Sequence, residues 1–564
     1  MKNILALYGS HDSSATFIDN DGRLRIIELE RHAKKRYAAF SKHFENRLFG
    51  ISDEQRRSFL EYLSTKCDLE KIEHVAYQWI TPEDQELFDE FFPNLKSCDT
   101  FNHHPAHAYC GHYQSGFKSS IIFSIDGGGV DDGETITTKA FMADDELISD
   151  LGVSEIDYGT SYQIIGKYIS EINKRKNEKG FSDETSWAGK IMGLCAYGKV
   201  REEWIDIIQD YYLTEKKIKC TEGPDKDKWM CGSEFLFREG VLLKLFPEKK
   251  IADSDELDNE YQDILSGEES YDLAATSQFV FEKLLFKMMK PQLDKYPERD
   301  VVLVGGCALN VLYNQKLYEY MKEHWPKRKL YVPPNPNDCG LSLGFFLGCP
   351  THLGGREEFF GKDFVYDGIE LLDKEDLQSH VKERNAKKVT TKEIVDIIKR
   401  GEIIGLVYGD SEIGPRALGN RSIICDPSFE NMKDILNKKV KFREWYRPFA
   451  PVCLFEDAET YFDNPVESNY MSFAPKVKKE YQEKLKSITH VDETSRLQTV
   501  SKGGHKVFTD ILNELKDRNE IPVILNTSFN IKGFPILTTI EDALHVLDNT
   551  ELDHVVVEGY IFSK

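Results

Sequence analysis

Three apolar runs separated by polar turns open the chain and predict a small antiparallel sheet. The runs are NILALYG, SATFIDNDG and LRIIELE, and they lie between residues 3 and 30. Short polar turns between such strands are typical of a hairpin meander. Residues 52–66 instead repeat their apolar positions at helical spacing, which predicts an amphipathic helix.

Farther along the chain, apolar strands alternate with helical segments. We predict strands at HVAYQW, SSIIFSID, DVVLVGG, EIIGLVYGD and EIPVILNTSF, and helices over much of 155–290 and at TKEIVDIIKRG. Such alternation is typical of an α/β protein. Residues 350–390 are charged and loop-rich, so we expect a boundary there, with one domain at 1–360 and a second at 361–564.

Composition and charge exclude several classes of protein. The 564 residues exceed a single hydrophobic core, because domains usually hold ~50–250 residues. The net charge of −23 opposes nonspecific binding to nucleic acid. No apolar stretch reaches the ~18 residues of a membrane span, and the 11 cysteines form no CxxC pair. We therefore expect a cytoplasmic protein with reduced thiols and no membrane partner.

Histidines and aspartates in distant segments suggest a metal site. His103 and His107 are four residues apart, so on a helix both imidazoles share one face. The strand SSIIFSID carries Asp126 into a glycine turn, and Asp338 precedes the apolar segment LSLGFFLG. Mixed imidazole and carboxylate ligands suit a divalent transition metal, with Fe2+ as our first expectation and Mn2+ or Zn2+ as alternatives. The competing interpretations are surface or core histidines and, for Asp338, a helix N-cap.

Two turns that follow predicted strands suggest contacts with phosphate. The turn at residues 9–13 holds His11 and two serine hydroxyls, which can donate hydrogen bonds to phosphate oxygens. Gly305 and Gly306 lie between a buried strand and the helical segment that includes Asn310, where backbone N–H groups can approach an anion. A solvated turn and tight packing of a helix on a strand are the respective alternatives.

A basic segment in an acidic protein predicts an anion pocket. Between residues 412 and 449, cations stand on Gly/Pro turns among aromatic residues rather than along one helix face. These cations are Arg416, Arg421, Lys441, Arg443 and Arg447. Arginine grips phosphate or carboxylate through two N–H groups, whereas the alternative is a solvated charged face. Asn526 and Ser528 end a predicted strand, the usual place for ligand contacts in an open α/β sheet.

Along nearly its whole length the chain resembles the NodU/CmcH family of O-carbamoyltransferases. The motifs that carry the resemblance are GSHDSSA, NHHPAHA, DGGGVDDGE, GKIMGLCAYG, GGCALN, PPNPNDCGLSLG, GPRALGNRSI, KFREWYRPFAP, HVDETSRLQTV and LNTSFNIKGFPIL. The resemblance implies an α/β protein of two domains. The first would be a TsaD-like domain with the duplicated α/β units of an actin-like ATPase, and the second a YrdC-like twisted α/β domain.

The same resemblance implies a reaction and its co-substrates. ATP, with Mg2+, and carbamoyl phosphate would give carbamoyl-adenylate and pyrophosphate in the second domain. The carbamoyl group would then move to a substrate hydroxyl in the first domain, with release of AMP. We also expect a homodimer.

Family positions map onto named residues of this chain. His11 matches a histidine close to the transferred group, and we assign it and Asp12 as catalytic. The proposed metal ligands are His103, His107, Asp126 and Asp338. Lys190 and Gly193 fall in the GKxMGL segment. The residues that match the carbamoyl-phosphate and adenylate pocket are Arg416, Arg447, Arg496, Asn526 and Ser528.

One motif departs from the family pattern. The family has Glu-Arg-x-x-Arg-x-Lys after the first hairpin, where this chain has ERHAKKR at residues 30–36. The resemblance therefore leaves open whether Lys34, Lys35 or Arg36 supplies the cation near the transfer site.

The acceptor is open, and two other functions compete with carbamoyl transfer to an alcohol. A composition that suggests an AT-rich genome favours a hydroxymethyl-pyrimidine acceptor, such as 5-hydroxymethylcytosine in a nucleotide or DNA, over an antibiotic or nodulation-type sugar hydroxyl. A TsaD-like tRNA-modifying transferase would need a basic RNA-binding face, which the net charge of −23 opposes. An actin-like ATP-binding scaffold would leave the arginine-rich segment unexplained.

Overall fold

The computed structural model describes residues 3–173, 184–214, 234, 236–249, 265–348 and 356–564. Parts of the segment 155–290, over much of which we predict helices, lie outside these residues. Within them, every strand named above and the helices at Asp53–Lys66 and Thr391–Lys399 are confirmed. The first of these helices begins with a capping box formed by Ser52 and Gln55, which satisfies backbone N–H groups that the helix leaves unpaired.

The amino-terminal strands form a five-stranded mixed sheet. These strands are β1 (Ile4–Tyr8), β2 (Ser14–Ile18), β3 (Leu24–Glu28), β4 (His74–Gln78) and β5 (Ser97–Thr100). The order across the sheet is β3-β2-β1-β4-β5. Strands β1, β2 and β3 pair antiparallel, as the predicted meander requires, whereas β4 and β5 pair parallel.

A second sheet repeats this topology. Its strands are β6 (Ser119–Asp131), β7 (Glu134–Asp144), β8 (Leu147–Ser154), β9 (Asp300–Val304) and β10 (Leu330–Tyr331). Their order, β8-β7-β6-β9-β10, and their directions are those of the first sheet, with two antiparallel pairs followed by two parallel pairs. The amino-terminal part of the chain is therefore a duplicated α/β unit, as the resemblance implies.

The carboxy-terminal part of the chain forms one larger mixed sheet. Its strands are β11 (Lys387–Lys388), β12 (Ile404–Val407), β13 (Arg421–Cys425), β14 (Ala450–Leu454), β15 (Gln498–Val500), β16 (Ile524–Ser528), β17 (His554–Val557) and β18 (Tyr560–Ser563). They run in the order β11-β18-β17-β12-β13-β16-β14-β15. No strand of this sheet precedes residue 387 and no strand of the other two follows residue 331, among the described residues. A boundary at residue 360 is compatible with this division and stays a prediction.

Helices cover the sheets. Their bounds are Leu29–His32, Asp53–Lys66, Gln85–Phe91, His103–Ser115, Gly159–Ile164, Trp187–Leu194, Glu202–Leu213, Leu243–Leu245, Glu268–Lys295, Val311–His324, Leu341–Gly348, Leu377–Glu383, Thr391–Lys399, Met432–Ile435, Phe455–Tyr461, Lys479–Gln482, Lys506–Asp517 and Ile540–Asn549. Within the described part of the chain, no helix is both long enough and apolar enough to cross a bilayer.

Close packing of two helices positions the candidate metal ligands. The helices His103–Ser115 and Leu341–Gly348 pack against each other in a buried apolar cluster with Tyr8. Gly344 permits the close approach, because a Cβ at this position would lie 2.0 Å from the carbonyl oxygen of Ala106. The approach brings the amino-terminal ends of both helices together, and distant parts of the chain therefore meet there.

Candidate functional site

Four side chains from three segments converge on one point. The ligand atoms of His103, His107, Asp126 and Asp338 all lie within 4.8 Å of one another. Asp126 Oδ2 is 3.0 Å from His107 Nε2 and 3.3 Å from His103 Nε2. Asp338 Oδ1 is 3.5 Å from His107 Nε2 and 3.6 Å from His103 Nε2. We call these four residues the ligand cluster.

Local structure aims each of these side chains. The two histidines are one turn apart on the helix His103–Ser115. Asp126 stands where the pairing of β6 with β7 shifts register, and such bulges redirect side chains. Asp338 begins a short 3₁₀ turn, and its Oδ2 accepts a 2.8 Å hydrogen bond from the Tyr8 hydroxyl. The Asp338 carboxylate thus faces the imidazoles and Tyr8 rather than the helix that follows.

The ligand cluster is buried and charged. Burial opposes the charged form of His107, but hydrogen bonds and the charges of Asp126 and Asp338 outweigh it and raise the pKa of His107 to about 9. Burial also opposes a charged Asp126, yet contacts with the two histidines hold the pKa of this carboxyl well below its usual value. Two carboxylates at this point require positive charge, which protons on the imidazoles or a divalent cation supply. Two imidazole nitrogens and two carboxylate oxygens form a donor set that fits Fe2+, Mn2+ or Zn2+.

His11 adjoins the ligand cluster on its exposed side. Its Nε2 is 3.7 Å from Asp338 Oδ2, its Nδ1 is 3.1 Å from Asp12 Oδ2, and its side chain is 38% exposed. Partial burial opposes the charged imidazole, but the hydrogen bond with Asp12 and the charge of Asp338 raise the pKa of His11 to about 9. A charged imidazole suits donation of a hydrogen bond to a leaving phosphate better than acceptance of a proton.

A second cluster consists of cations that face one another. It comprises Arg36, Arg416, Lys441, Arg443, Arg447 and Arg496, which we call the cation cluster. Burial and three neighbouring arginines hold the pKa of Arg496 well below its usual range. Burial and cations of the same cluster lower the pKa of Lys441 in the same way. Positive charges held close together disfavour one another's protonated forms, and a bound anion relieves this repulsion. Groups with strongly shifted pKa values are concentrated at functional sites.

Hydrogen bonds hold Lys441 and a ring contact holds Arg443 within this cluster. Lys441 Nζ donates to the carbonyl oxygens of Ser528 and Asn530 at 2.6 and 2.7 Å, and to Ser528 Oγ at 3.1 Å. The guanidinium of Arg443 lies 4.4 Å from the centroid of the Phe449 ring. Ser528, at the end of β16, therefore lies beside the cation cluster, where the sequence predicts it.

Arg421 is not part of this cluster. It begins β13 and is fully buried. Its guanidinium donates to the carbonyl oxygens of Tyr408, Asn420 and Gly409 at 2.7, 2.9 and 3.0 Å. These bonds give Arg421 a structural role, which corrects its assignment to the anion pocket. Sequence reasoning placed it in a basic loop because the strand it begins was not recognised.

Asn310 likewise has structural contacts. Its side-chain oxygen accepts a 3.1 Å bond from the backbone N–H of Tyr313 and caps the helix Val311–His324. The same amide exchanges two 3.0 Å hydrogen bonds with Gln278. These contacts give Asn310 a structural role, and its contact with a phosphate stays a prediction.

The remaining predicted residues lie around the two clusters. Gly305 adopts φ 84° and donates its N–H to the carbonyl oxygen of Pro336 at 2.7 Å. Gly306 lies beside the Asp126 carboxylate. Asn526 is buried, and its side-chain amide donates a 3.0 Å hydrogen bond to the carbonyl oxygen of Ala417. Ala417 directly follows Arg416 in the chain. The glycines thus belong with the ligand cluster, and Asn526 supports the loop that carries Arg416.

Lys190 and Gly193 lie on the helix Trp187–Leu194 and contact the carboxy-terminal part of the chain. Lys190 Nζ is 3.3 Å from Glu444 Oε1, and the Gly193 carbonyl oxygen is 2.9 Å from His490 Nε2. Burial opposes a charged Glu444, but Arg447 and Lys190 lower the pKa of this carboxyl to about 2. Lys190 thus acts on the cation cluster through Glu444.

The structure distinguishes the three basic residues that the sequence left open. Lys34 pairs with Asp542 at 2.8 Å, on the surface. Lys35 donates to the Gly50 carbonyl oxygen. The charge of Arg36 instead acts on Lys441 and on Glu30. Of these three, Arg36 therefore joins the cation cluster.

Sequence reasoning missed Tyr8 and Glu444. Tyr8 ends an apolar strand, so its position in the sequence predicts a core residue. Its hydroxyl contacts Asp338, which is 330 positions away in the chain. Glu444 stands among basic residues, and its negative charge within a basic segment could have identified it from the sequence.

The chain matches two sequence profiles. The profile of the carbamoyltransferase amino terminus covers residues 91–346, and that of the carbamoyltransferase carboxy terminus covers residues 395–564. The two matched segments contain the ligand cluster and all of the cation cluster except Arg36.

Relatives extend along most of the chain. The nodulation protein NolO of Bradyrhizobium diazoefficiens is 30% identical over 82% of this chain and 79% of its own length. Nodulation protein U of Sinorhizobium fredii is 28% identical over 72% of this chain and 68% of its own. An uncharacterized protein of Methanocaldococcus jannaschii is 28% identical over 100% of this chain and 99% of its own.

Solved structures of HypF are more distant. HypF of T. kodakarensis is 12% identical with a TM-score of 0.33, over 64% of this chain and 50% of that chain. Full-length HypF in the phosphate- and nucleotide-bound form is 13% identical with a TM-score of 0.32, over 62% of this chain and 56% of that one. This chain thus spans about half of each HypF chain, and scores this low support no argument about function.

The profiles, the extent of the NolO match and the two-part α/β fold agree with one another. The protein belongs to the carbamoyltransferase family of the nodulation proteins NolO and NodU, and it is an O-carbamoyltransferase.

Proposed function

We propose that the enzyme forms carbamoyl-adenylate from ATP and carbamoyl phosphate at the cation cluster and transfers the carbamoyl group to an alcohol beside His11. One observation carries the proposal: a cluster of like-charged cations and a cluster of imidazoles and carboxylates are joined by the segment at residues 30–37. Glu30 interacts with the charges of Asp12 and Arg36, and its carboxylate accepts the Tyr37 N–H at 3.0 Å. Both co-substrates are anions, which a cation cluster gathers and orients.

Atom balance defines the first step. Carbamoyl-adenylate contains one phosphorus atom, which comes from ATP. Water therefore cleaves carbamoyl phosphate to carbamate and inorganic phosphate. A carbamate oxygen then bonds to the α-phosphorus of ATP, and pyrophosphate leaves. The cation cluster stabilises the negative charge that develops on the departing phosphates.

The second step breaks the bond between the carbamoyl carbon and the phosphate of AMP. The hydroxyl oxygen of the acceptor forms the new bond to that carbon, and the hydroxyl proton passes to the phosphate of the departing AMP. His11, with its raised pKa, donates a hydrogen bond to the departing phosphate, and Asp12 holds the imidazole in place. General acid–base groups contribute ~10²–10⁴-fold to such steps.

The four residues of the ligand cluster would hold one divalent metal, with Fe2+ as our first choice. When bound, such a metal stabilises negative charge on a phosphate oxygen. The Tyr8 hydroxyl orients Asp338 for this purpose, and outer contacts of this kind tune metal sites.

For the acceptor we propose a hydroxymethyl-pyrimidine, such as 5-hydroxymethylcytosine in a nucleotide or at an exposed site in DNA. The similarity to nodulation proteins favours a sugar hydroxyl as the second candidate. A tRNA-modifying transferase is a third candidate, and the net charge of −23 opposes it.

The test measures AMP, pyrophosphate and carbamoylated product by mass spectrometry. Purified enzyme receives ATP, carbamoyl phosphate and a panel of alcohols that includes hydroxymethyl-pyrimidines, aminoglycosides, oligosaccharides and tRNA. We expect AMP to form only when ATP and carbamoyl phosphate are both present, and one alcohol class to gain a carbamoyl group. Carbamoylation without ATP would contradict the adenylate route, and modified tRNA alone would favour the third candidate.

A further inference from the structure

One glycine of the carboxy-terminal part is held by two side chains of the amino-terminal part. The N–H of Gly414 donates to Glu28 Oε1 at 2.8 Å. Its carbonyl oxygen accepts from Arg31 at 2.6 Å. Glu28 and Arg31 are also an ion pair, and both are buried. Both backbone groups of one residue are therefore fixed across the interface.

Gly414 stands between the two clusters. It precedes Arg416, a member of the cation cluster, by two residues. It has φ 87°, and a Cβ there would lie 2.1 Å from the carbonyl oxygen of Pro334. Pro334 belongs to the loop that ends at Asp338 of the ligand cluster. Only glycine fits this contact, since a side chain would collide with backbone.

Glu28 also reaches the ligand cluster. The side chain of Cys339, the residue after Asp338, interacts with the Glu28 carboxylate. One carboxylate thus touches the turn that carries a candidate metal ligand and the turn that carries a cation. Breaking such a bond leaves a buried charge or N–H without its partner.

We propose that Glu28 and Arg31 are positioning residues for carbamoyl transfer, and that they set the placement of the Arg416 loop relative to the Asp338 turn. The inference rests on the proposed function, because it concerns the coupling of its two steps. A shift of ~1 Å in such a site can cost ~10²-fold in rate. Loss of the contact should therefore uncouple the steps without abolishing either.

The test is the ratio of carbamoylated alcohol to AMP, measured with Glu28→Gln. We expect this ratio to fall at least about threefold and the KM for carbamoyl phosphate to rise, since Arg416 loses its fixed position. A purely structural role would lower the amount of active enzyme and leave both quantities unchanged. Arg31→Lys keeps the charge but shortens the reach to Gly414, so its ratio should lie between those of wild type and Glu28→Gln.

A second ion pair across the same interface provides the control. Arg25 NH1 is 2.7 Å from Asp410 Oδ2, and Arg25 NH2 donates to the Gly368 carbonyl oxygen at 2.6 Å. Asp410→Asn breaks this contact away from both clusters, and the ratio should stay at the wild-type value. An equal fall in Asp410→Asn would overturn the proposal.

The combined variant Glu28→Gln with Arg31→Gln removes both buried charges and tests the same point if the single variant does not fold. An unchanged ratio and KM in the folded variants, with an active wild type, would overturn the positioning role and leave the proposed function standing. A wild type that forms no AMP from ATP and carbamoyl phosphate would overturn the proposed function, and this role with it.

Discussion

The ligand cluster is buried and the arginines of the cation cluster are half-buried. The two groups differ in how their charge is balanced. In the ligand cluster, carboxylates and imidazoles stabilise each other's charged forms: the pKa of His107 rises and that of Asp126 falls. In the cation cluster, burial and the charges of neighbouring arginines lower the pKa values of Lys441, Arg443 and Arg496, and Glu444 is the carboxylate beside them. The ligand cluster therefore balances its own charges, whereas the cation cluster is stabilised by a bound anion.

This difference assigns a kind of ligand to each place. Carboxylates and imidazoles converging within 4.8 Å suit a single cation. Cations drawn from widely separated segments suit a polyphosphate. The cation cluster lies where the amino-terminal and carboxy-terminal parts of the chain meet. A bound anion offsets the repulsion among its cations and so stabilises the folded chain.

Removal of a metal ligand should have the largest effect. Asp338→Asn should lower carbamoyl transfer by at least ~10³-fold, because a bound metal contributes several kcal/mol to stabilisation of developing charge. Elemental analysis should show loss of the metal in parallel. The surface variant His324→Ala is the control and should keep full metal content and activity. Normal metal content in Asp338→Asn would place the metal elsewhere.

His11→Asn should follow in size. Transfer to the alcohol should fall by ~10²–10⁴-fold, whereas pyrophosphate release should stay within a few-fold of wild type. Carbamoyl-adenylate should therefore accumulate, or be hydrolysed, in the His11→Asn variant. A variant that transfers within a few-fold of wild type would show that His11 is only a turn residue.

Arg447→Ala should affect the other cluster. Pyrophosphate release should fall by ~10²–10³-fold, the usual cost of one lost donor to developing charge. Transfer from supplied carbamoyl-adenylate should persist. The exposed Arg384, paired with Asp548 on the surface, is the control, and Arg384→Ala should change neither step. An equal fall of both steps in Arg447→Ala would break the division between the clusters.

Anions should stabilise the protein through the cation cluster, the smallest of these effects. Pyrophosphate at about 100 times its Kd should add ~2.7 kcal/mol of unfolding free energy, seen as a Tm higher by a few °C. The gain should shrink in Lys441→Met. An equal gain in that variant and in wild type would locate the binding elsewhere.

The pH dependence without anion follows from the lowered pKa of Lys441. Between its folded pKa and the unfolded value of ~10.4, the unfolded chain holds more protons than the folded one. Stability attributable to this group should therefore rise with pH across that window. Thermal melts of wild type and Lys441→Met measure the difference.

Much of the fold could be predicted because it depends on local patterns. Apolar runs mark strands β1, β4, β9 and β12, and the spacing of His103 and His107 requires only a helix. Membership of the carbamoyltransferase family is likewise carried by short motifs in a fixed order, and the profiles confirm it.

The roles of individual cations depended on tertiary structure. Arg421 and Arg416 stand five residues apart in one basic loop by sequence, yet backbone carbonyls surround the first while other cations face the second. Arg36 and Lys34 are two residues apart, and only the former acts on Lys441.

By itself the sequence determined the elements, the family and the residue types able to hold a metal or an anion, because periodicity and motif are local properties. Only the tertiary structure decided which of those residues meet. The packing at Gly344 and the contact of Gly414 with Pro334 join positions far apart in the chain. Electrostatic interaction depends on distance and burial, and neither quantity is set by separation along the sequence.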